Sequence, residues 1–132
     1  MSLRILLADD HALFRDALRM TLAGEADMVV VAEAGSGEAV AALVALHSPD
    51  VVCMDLSMPG MDGVQATQLL LASHPGVKVI GLSAHVDEES ARDMLRAGAS
   101  GYVVKMHAGS ELAPAIRAVA MGQVYISPEL DL

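Results

Sequence analysis

The sequence predicts an α/β three-layer sandwich, a parallel β-sheet held between two layers of helices. Three observations lead there. Short apolar runs alternate with segments of helical period along the whole chain. The apolar runs are near-continuous rather than alternating with polar residues, the pattern of strands buried on both faces. The chain has 132 residues, 54% of them hydrophobic, which suits one domain with a two-sided core and not two domains.

Leu3 to Ala8 is the first apolar run and ends at two aspartates. From His11 to Ala23, Phe14, Leu18 and Leu22 recur at helical spacing, and Gly24 stops the helix. Met28 to Ala32 is apolar and β-branched, hence a strand. Gly35-Ser36-Gly37 reads as a turn, with Ser36 the N-cap of a helix over Glu38 to Leu46. Pro49-Asp50 breaks the chain before a third strand, Val51 to Met54. Ser57 to Gly63 is a Pro/Gly loop, and Val64 to Ser73 is helical. Val77 to Leu82 is the fourth strand, and Asp87 to Ala97 a helix closed by Gly98. Gly101 to Val104 is the fifth strand. Ser110 to Met121 is the last helix, with Pro114 expected in or near its first turn, where a missing N–H costs least. The tail Gln123 to Leu132 does not extend the alternation and reads as a linker or an edge extension.

The net charge is −9, from 17 acidic and 8 basic residues. That disfavours non-specific nucleic-acid binding and docking on anionic membranes, both of which draw on Lys and Arg. It suits cation binding. No apolar run approaches the ~20 residues of a membrane span. The single cysteine, Cys53, excludes an intrachain disulfide and fits a reducing, cytoplasmic setting.

In an open parallel sheet, ligands bind beyond the carboxyl ends of the strands. Asp9 and Asp10 follow the first strand, Asp55 the third, Ser83 ends the fourth and Lys105 the fifth. Any one of them alone could be a cap, a turn residue or a surface charge. Together at one edge they form a site. Carboxylates brought close repel one another and recruit a cation, and an open all-oxygen site suits Mg²⁺. Asp55 can then attack a phosphoryl group, with Lys105 and the Ser83 hydroxyl on the phosphoryl oxygens.

Other features read as structural. Gly35-Ser36-Gly37 lacks the Lys-Ser/Thr of a phosphate loop. His11, His47, His74, His85 and His107 show no zinc spacing and read as surface residues, except that His85 is placed to gate the site. Cys53 lies in an apolar strand and reads as an inert buried thiol. Glu88 and Glu89 read as first-turn acids favoured by the helix dipole.

The segments Ala8-Asp9-Asp10-His11, Asp55-Leu56-Ser57-Met58-Pro59-Gly60-Met61-Asp62-Gly63, Leu82-Ser83-Ala84 and Gly101-Tyr102-Val103-Val104-Lys105 resemble the receiver domains of bacterial two-component response regulators. The resemblance covers essentially the whole chain. It implies a flavodoxin-like fold with five parallel strands in the order 2-1-3-4-5 and five helices. It implies that Asp55 is the phosphoacceptor, that Asp9, Asp10, Asp55 and the Ser57 backbone carbonyl hold Mg²⁺, and that Lys105 pairs with the phosphate. It makes Ser83 and Tyr102 the switch pair, with Tyr102 turning inward on phosphorylation, and makes Ser57 and His85 the residues that tune hydrolysis. The donor it implies is a phosphohistidine on a sensor histidine kinase, docked near the first helix around Arg15.

Asp9-Asp10-His11 with Leu13-Phe14-Arg15, and Gly122-Gln123-Val124-Tyr125-Ile126-Ser127-Pro128, are similar to the NarL/FixJ class with its LuxR-type output. The expectation is a receiver over residues 1–122 and the start of a linker over 123–132, leading to an output domain not in this chain. DNA would be reached only through that domain, and a homodimer on phosphorylation is expected. Many receivers carry Pro after the lysine; here it is Met106, so a trans peptide is expected. Such a chain is no turnover enzyme, since it labels itself and decays. A haloacid-dehalogenase-like phosphatase places its nucleophile after the first strand in Asp-x-Asp, the reverse of the order here. A flavin binder needs aromatic stacking, and the chain has one Phe, two Tyr and no Trp.

Overall fold

The computed structural model describes residues 2–132. The chain alternates strand and helix in order: β1 (Leu3–Ala8), α1 (Ala12–Ala23), β2 (Met28–Ala34), α2 (Val40–His47), β3 (Val51–Asp55), α3 (Gly63–Ser73), β4 (Lys78–Ser83), α4 (Glu88–Arg96), β5 (Gly101–Val104), a 3₁₀ turn (Lys105–His107), α5 (Ala108–Ala120) and β6 (Tyr125–Ile126). The strands form one parallel sheet in the order β2-β1-β3-β4-β5-β6.

Successive strand residues point to opposite faces, so each apolar run feeds two cores. Leu6, Ala8, Val52, Met54, Val79 and Tyr102 pack on the side of α2, α3 and α4, with Val44, Leu70 and Met94. Ile5, Leu7, Cys53, Ile80, Leu82 and Val103 pack on the side of α1 and α5, with Leu18, Leu22, Leu112 and Ile116. Burying each large side chain stabilises the fold by roughly 1.5–3 kcal/mol. β3 is buried throughout, which explains its unbroken apolar run up to Asp55.

Three expectations are corrected. The sheet has six strands, not five: Tyr125–Ile126 adds in parallel to β5, so the tail is an edge extension at that point. The second helix begins at Val40 without a side-chain cap, not at Glu38 behind Ser36. Glu38 instead turns its carboxylate to the Met61 N–H, 2.7 Å away, and pins the loop after β3. The last helix starts at Ala108, so Pro114 lies inside it and not in its first turn. The described residues contain no cis peptide, as expected at Lys105-Met106.

The turns that shape the active edge follow from local chemistry. Asp62 caps α3 by accepting from the Gln65 N–H at 2.9 Å. Asp87 caps α4 by accepting from the Glu89 N–H at 3.1 Å and the Ser90 hydroxyl at 2.6 Å. Gly63 sits where a Cβ would lie 2.5 Å from the Asp55 carbonyl oxygen, so only glycine lets α3 begin this close to β3.

Candidate functional site

β1, β3, β4 and β5 all end at one edge of the sheet, and the register sets what meets there. Ala8 pairs with Met54, Asp55 with Leu82, and Ser83 with Val104. Asp9 and Lys105 are the first residues past their strands. The residues anticipated from the sequence are therefore brought to one rim.

Asp9 and Asp55 are nearly inaccessible, at 1% and 2% exposure. The Lys105 ammonium lies between them, 2.7 Å from Asp9 Oδ2 and 3.3 Å from Asp55 Oδ2. Among the described residues the Lys105 ammonium is the group that holds both oxygens. The other oxygens are engaged: Asp9 Oδ1 accepts from the His11 N–H at 2.8 Å, and Asp55 Oδ1 from the Ser57 N–H at 3.1 Å.

The two buried acids are pushed in opposite directions. Burial works to raise the Asp9 pKa, but Lys105 and the two His11 contacts outweigh it and hold Asp9 below the usual carboxylate range. Burial raises Asp55, the Ser57 amide opposes it, and the neighbouring Asp9 charge adds to the rise. Asp55 is thus the acid of the pair whose charged form this environment disfavours.

Asp10 completes the acidic set at the solvent side. One ligand atom each from Asp9, Asp10, His11 and Asp55 lies within 4.8 Å of the others. Two buried carboxylate oxygens held only by a lysine, plus a third carboxylate open to water, are a donor set that fits a hard divalent cation with waters. Lys105 supplies the positive counter-group, and the His11 ring lies beside the acids. His11 Nδ1 stands 3.0 Å from Asp9, 3.3 Å from Asp10 and 4.0 Å from Asp55.

Ser83 is buried, and its hydroxyl oxygen accepts from the His85 N–H at 3.1 Å, closing a turn after β4. His85 itself is exposed, as is Ser57, so both stand at the mouth of the site. Tyr102 lies behind Ser83, fully buried, and its hydroxyl has no hydrogen-bond partner. Burial pushes the Tyr102 phenol up, with only a partial counter-effect from the nearby Ser83 hydroxyl. The inward position expected for Tyr102 only after phosphorylation is already adopted here.

Three site residues escaped the sequence reading. His11, taken as a surface histidine, faces the carboxylates, and its position directly after the acidic pair was the available signal. The Phe14 ring lies under the Lys105 ammonium, 4.7 Å from its centroid, and limits where that head group can go. Arg15 hydrogen-bonds the Asp9 carbonyl oxygen and pairs with Glu33 at 3.1 Å, so it braces the β1 end from inside. Helical periodicity marks Phe14 as core and leaves Arg15 as surface, so neither was visible as a site residue.

A cavity of about 270 Å³, lined by Val44, Ser48, Pro49, His74 and Val77, opens at the opposite edge of the sheet, before β3 and β4. The arrangement therefore presents a carboxylate, a cation site, a hydroxyl and an ammonium to something brought from outside. That is the equipment of phosphoryl transfer.

Comparison with known proteins agrees. Residues 5–117 match the family model described as the response regulator receiver domain. The chain is 41% identical over 128 residues to the transcriptional regulatory protein DegU of Brevibacillus brevis, covering 97% of this chain and 54% of that protein. It is 41% identical over 128 residues to the response regulator GacA of Pseudomonas viridiflava, covering 97% of this chain and 60% of that one. The chain thus spans little more than half the length of these relatives. Among solved structures, a LuxR-family two-component response regulator from Aurantimonas sp. SI85-9A1 superposes with a TM-score of 0.94 at 33% identity, covering 98% of this chain and 93% of that one. The receiver domain of the putative response regulator NarL from Mycobacterium tuberculosis gives 0.86 at 33% identity, covering 92% and 98%.

Proposed function

Because the chain belongs to the response regulator receiver domains of two-component systems, in the NarL/FixJ class, we propose that it accepts a phosphoryl group on Asp55 from a phosphohistidine of a sensor histidine kinase. The observation that carries this is the pairing of the buried Asp55 carboxylate with Lys105 and Asp9 at the rim. Asp55 Oδ2 is the reacting oxygen, since Oδ1 is held by the Ser57 amide. Oδ2 attacks phosphorus, the P–N bond to the kinase histidine breaks, and the imidazole leaves with the bonding pair. An acyl phosphate remains on Asp55.

Asp9, Asp10, Asp55 and the Ser57 carbonyl are the residues that would hold Mg²⁺. When bound, the ion neutralises charge on the transferring phosphoryl oxygens. Lys105, now shared between Asp9 and Asp55, follows the new negative charge. The Ser83 hydroxyl exchanges its acceptance from the His85 amide for a hydrogen bond to the phosphoryl group, which loosens the turn after β4. Tyr102, behind Ser83 with a free hydroxyl, stays inward and gains a fixed environment. Ser57 and His85 at the mouth govern how easily water reaches the acyl phosphate.

The whole protein works in the cytoplasm, and its DNA binding belongs to an output domain beyond residues 123–132. The names of the longer relatives, a transcriptional regulatory protein and a response regulator, support this. Phosphorylation promotes a homodimer that presents two such outputs. No described helix is long and apolar enough to cross a membrane.

The test is intact-protein mass after incubation with acetyl phosphate, with and without Mg²⁺, for the native chain and Asp55→Asn. One added phosphoryl group that needs both Mg²⁺ and Asp55 is expected. Full labelling of Asp55→Asn, or labelling indifferent to Mg²⁺, contradicts the assignment.

A further inference from the structure

The residues after α5 form a strap whose polar chemistry the phosphoryl site leaves unexplained. Tyr125 and Ile126 pair with Gly101 and Tyr102. The Ser127 N–H continues the pairing by donating to the Tyr102 carbonyl at 2.9 Å. The chain then turns away, and a side chain takes over. Ser127 is 0% exposed, and its hydroxyl oxygen accepts from the Val104 N–H at 2.9 Å while donating to Glu111 Oε1 at 2.7 Å. The Tyr125 hydroxyl donates to the same Glu111 oxygen at 3.2 Å. Farther along, Leu130 is buried in the cluster that holds Tyr102 and Met94, and the Asp131 N–H donates to Glu88 at 3.1 Å. The strap thus ties together β5, α5 and α4.

A plain edge strand needs none of this. A buried hydroxyl is costly unless both its donor and its acceptor are used, and here both are. What Ser127 holds is the last amide of β5. The next residue is Lys105, whose ammonium sits between Asp9 and Asp55. Two residues before the held amide is Tyr102, which faces the opposite core. One serine outside the predicted strands therefore fixes the strand end from which the phosphate-pairing lysine departs.

We propose that Ser127 is a positioning residue for phosphoryl transfer, and that through the Val104 amide it couples docking of the strap, residues 125–131, to occupation of the phosphoryl site. The proposal rests on the receiver reading above. If the docked strap favours the bound phosphoryl group, the bound group must favour the docked strap by the same factor. The strap leads directly into whatever follows this domain, so the coupling gives phosphorylation a route out of the site.

Two measurements test it. The first is the rate of acetyl phosphate labelling with Mg²⁺. Ser127→Ala is expected to lower the maximal rate about tenfold, the scale of one lost buried hydrogen bond passed on to the reacting geometry. Ser127→Thr, which keeps the hydroxyl, is expected to restore most of it. The second needs no variant of the strap. Hydrogen exchange of the Val104, Ser127 and Asp131 amides is expected to slow on adding beryllofluoride with Mg²⁺ to the native chain by more than that of core amides far from the strap, such as Leu22 and Leu70, and not in Asp55→Asn. A merely structural serine leaves those amides slowed no more than the distant core amides, and that result overturns the proposal, as does wild-type labelling in Ser127→Ala. A native chain that takes neither acetyl phosphate nor beryllofluoride at Asp55 overturns the receiver reading itself, and the proposal with it.

Discussion

Asp55 carries its charge in a place that disfavours it. Burial and the Asp9 carboxylate raise its pKa, against the Ser57 amide and Lys105. A group with a raised folded-state pKa stabilises the fold in its protonated form, and that contribution is lost as pH rises. Once ionised, the Asp55 carboxylate is therefore a net burden on folding. Asn keeps an oxygen for the Ser57 N–H and drops the charge. Asp55→Asn is thus expected to raise the melting temperature at pH 7 in a chelating buffer while abolishing labelling; calorimetry beside the mass assay checks both. A lower melting temperature would contradict this account of the cluster. Cys53 is shifted in the same direction by the same cause. Burial alone pushes its thiol up to about 12, so it is expected to resist a disulfide reagent at pH 8 until denaturant opens the α1–α5 core. At this scale the sequence was most legible where chain order alone marks strand ends, as for Asp9, Asp55, Ser83 and Lys105. It was least legible where a side chain reaches across, because neither the reach of Arg15 to Asp9 nor the place of Phe14 beneath Lys105 follows from period or spacing.

Single positions set the ends and interiors of two helices. The start of α3 is set by Gly63, whose N–H donates to the Leu56 carbonyl at 3.1 Å. A Cβ there would stand 2.8 Å from Leu56 Cα as well as 2.5 Å from the Asp55 carbonyl oxygen. Both neighbours are backbone and cannot turn aside, so Gly63→Ala is expected to cost more than about 2 kcal/mol and to displace Asp55. Urea unfolding measures the first effect, and labelling of the fraction that still folds measures the second. In α5, Pro114 stands on the exposed face and removes the hydrogen bond to the Ser110 carbonyl. Pro114→Ala is expected to stabilise by about 1–3 kcal/mol without changing labelling, since no packing is lost. Element boundaries were readable to within a few residues wherever a run was long. β6 was not readable, because two residues carry no period and their pairing depends on where α5 returns the chain. The α2 start was misread because Glu38, which looks like a first-turn acid, serves the Met61 amide instead.

Across the whole molecule, the ends of the α1–α5 layer are joined by charge as well as by core. Arg117 of α5 reaches the loop between α1 and β2, with Nε 2.9 Å from Asp27 Oδ2 and Nη2 2.9 Å from Asp27 Oδ1, and it also pairs with Glu25. The two partners stand 90 residues apart in sequence, so no local pattern announces them. The Arg117 guanidinium holds the Asp27 carboxyl below its ordinary value. A depressed folded-state pKa contributes stability that is present above the unfolded value of ~4 and is lost as pH falls through the folded one. The fork is open to solvent, so salt weakens it. Native protein and Arg117→Met are therefore expected to differ in melting temperature at pH 7 and low salt. The gap should shrink at high salt and narrow progressively as pH falls below about 4, where Asp27 begins to be protonated in the unfolded chain. Equal gaps at pH 7 and at pH 3 would mean that Arg117 acts through the packing of its methylenes and not through the fork. The fork lies at the end of the α1–α5 layer away from the site, although α1 carries Phe14 and Arg15 and α5 follows the turn that holds Lys105. Loosening the far end of that layer should thus leave acetyl phosphate labelling intact, since the rim is braced by its own contacts at Arg15, Phe14 and Ser127.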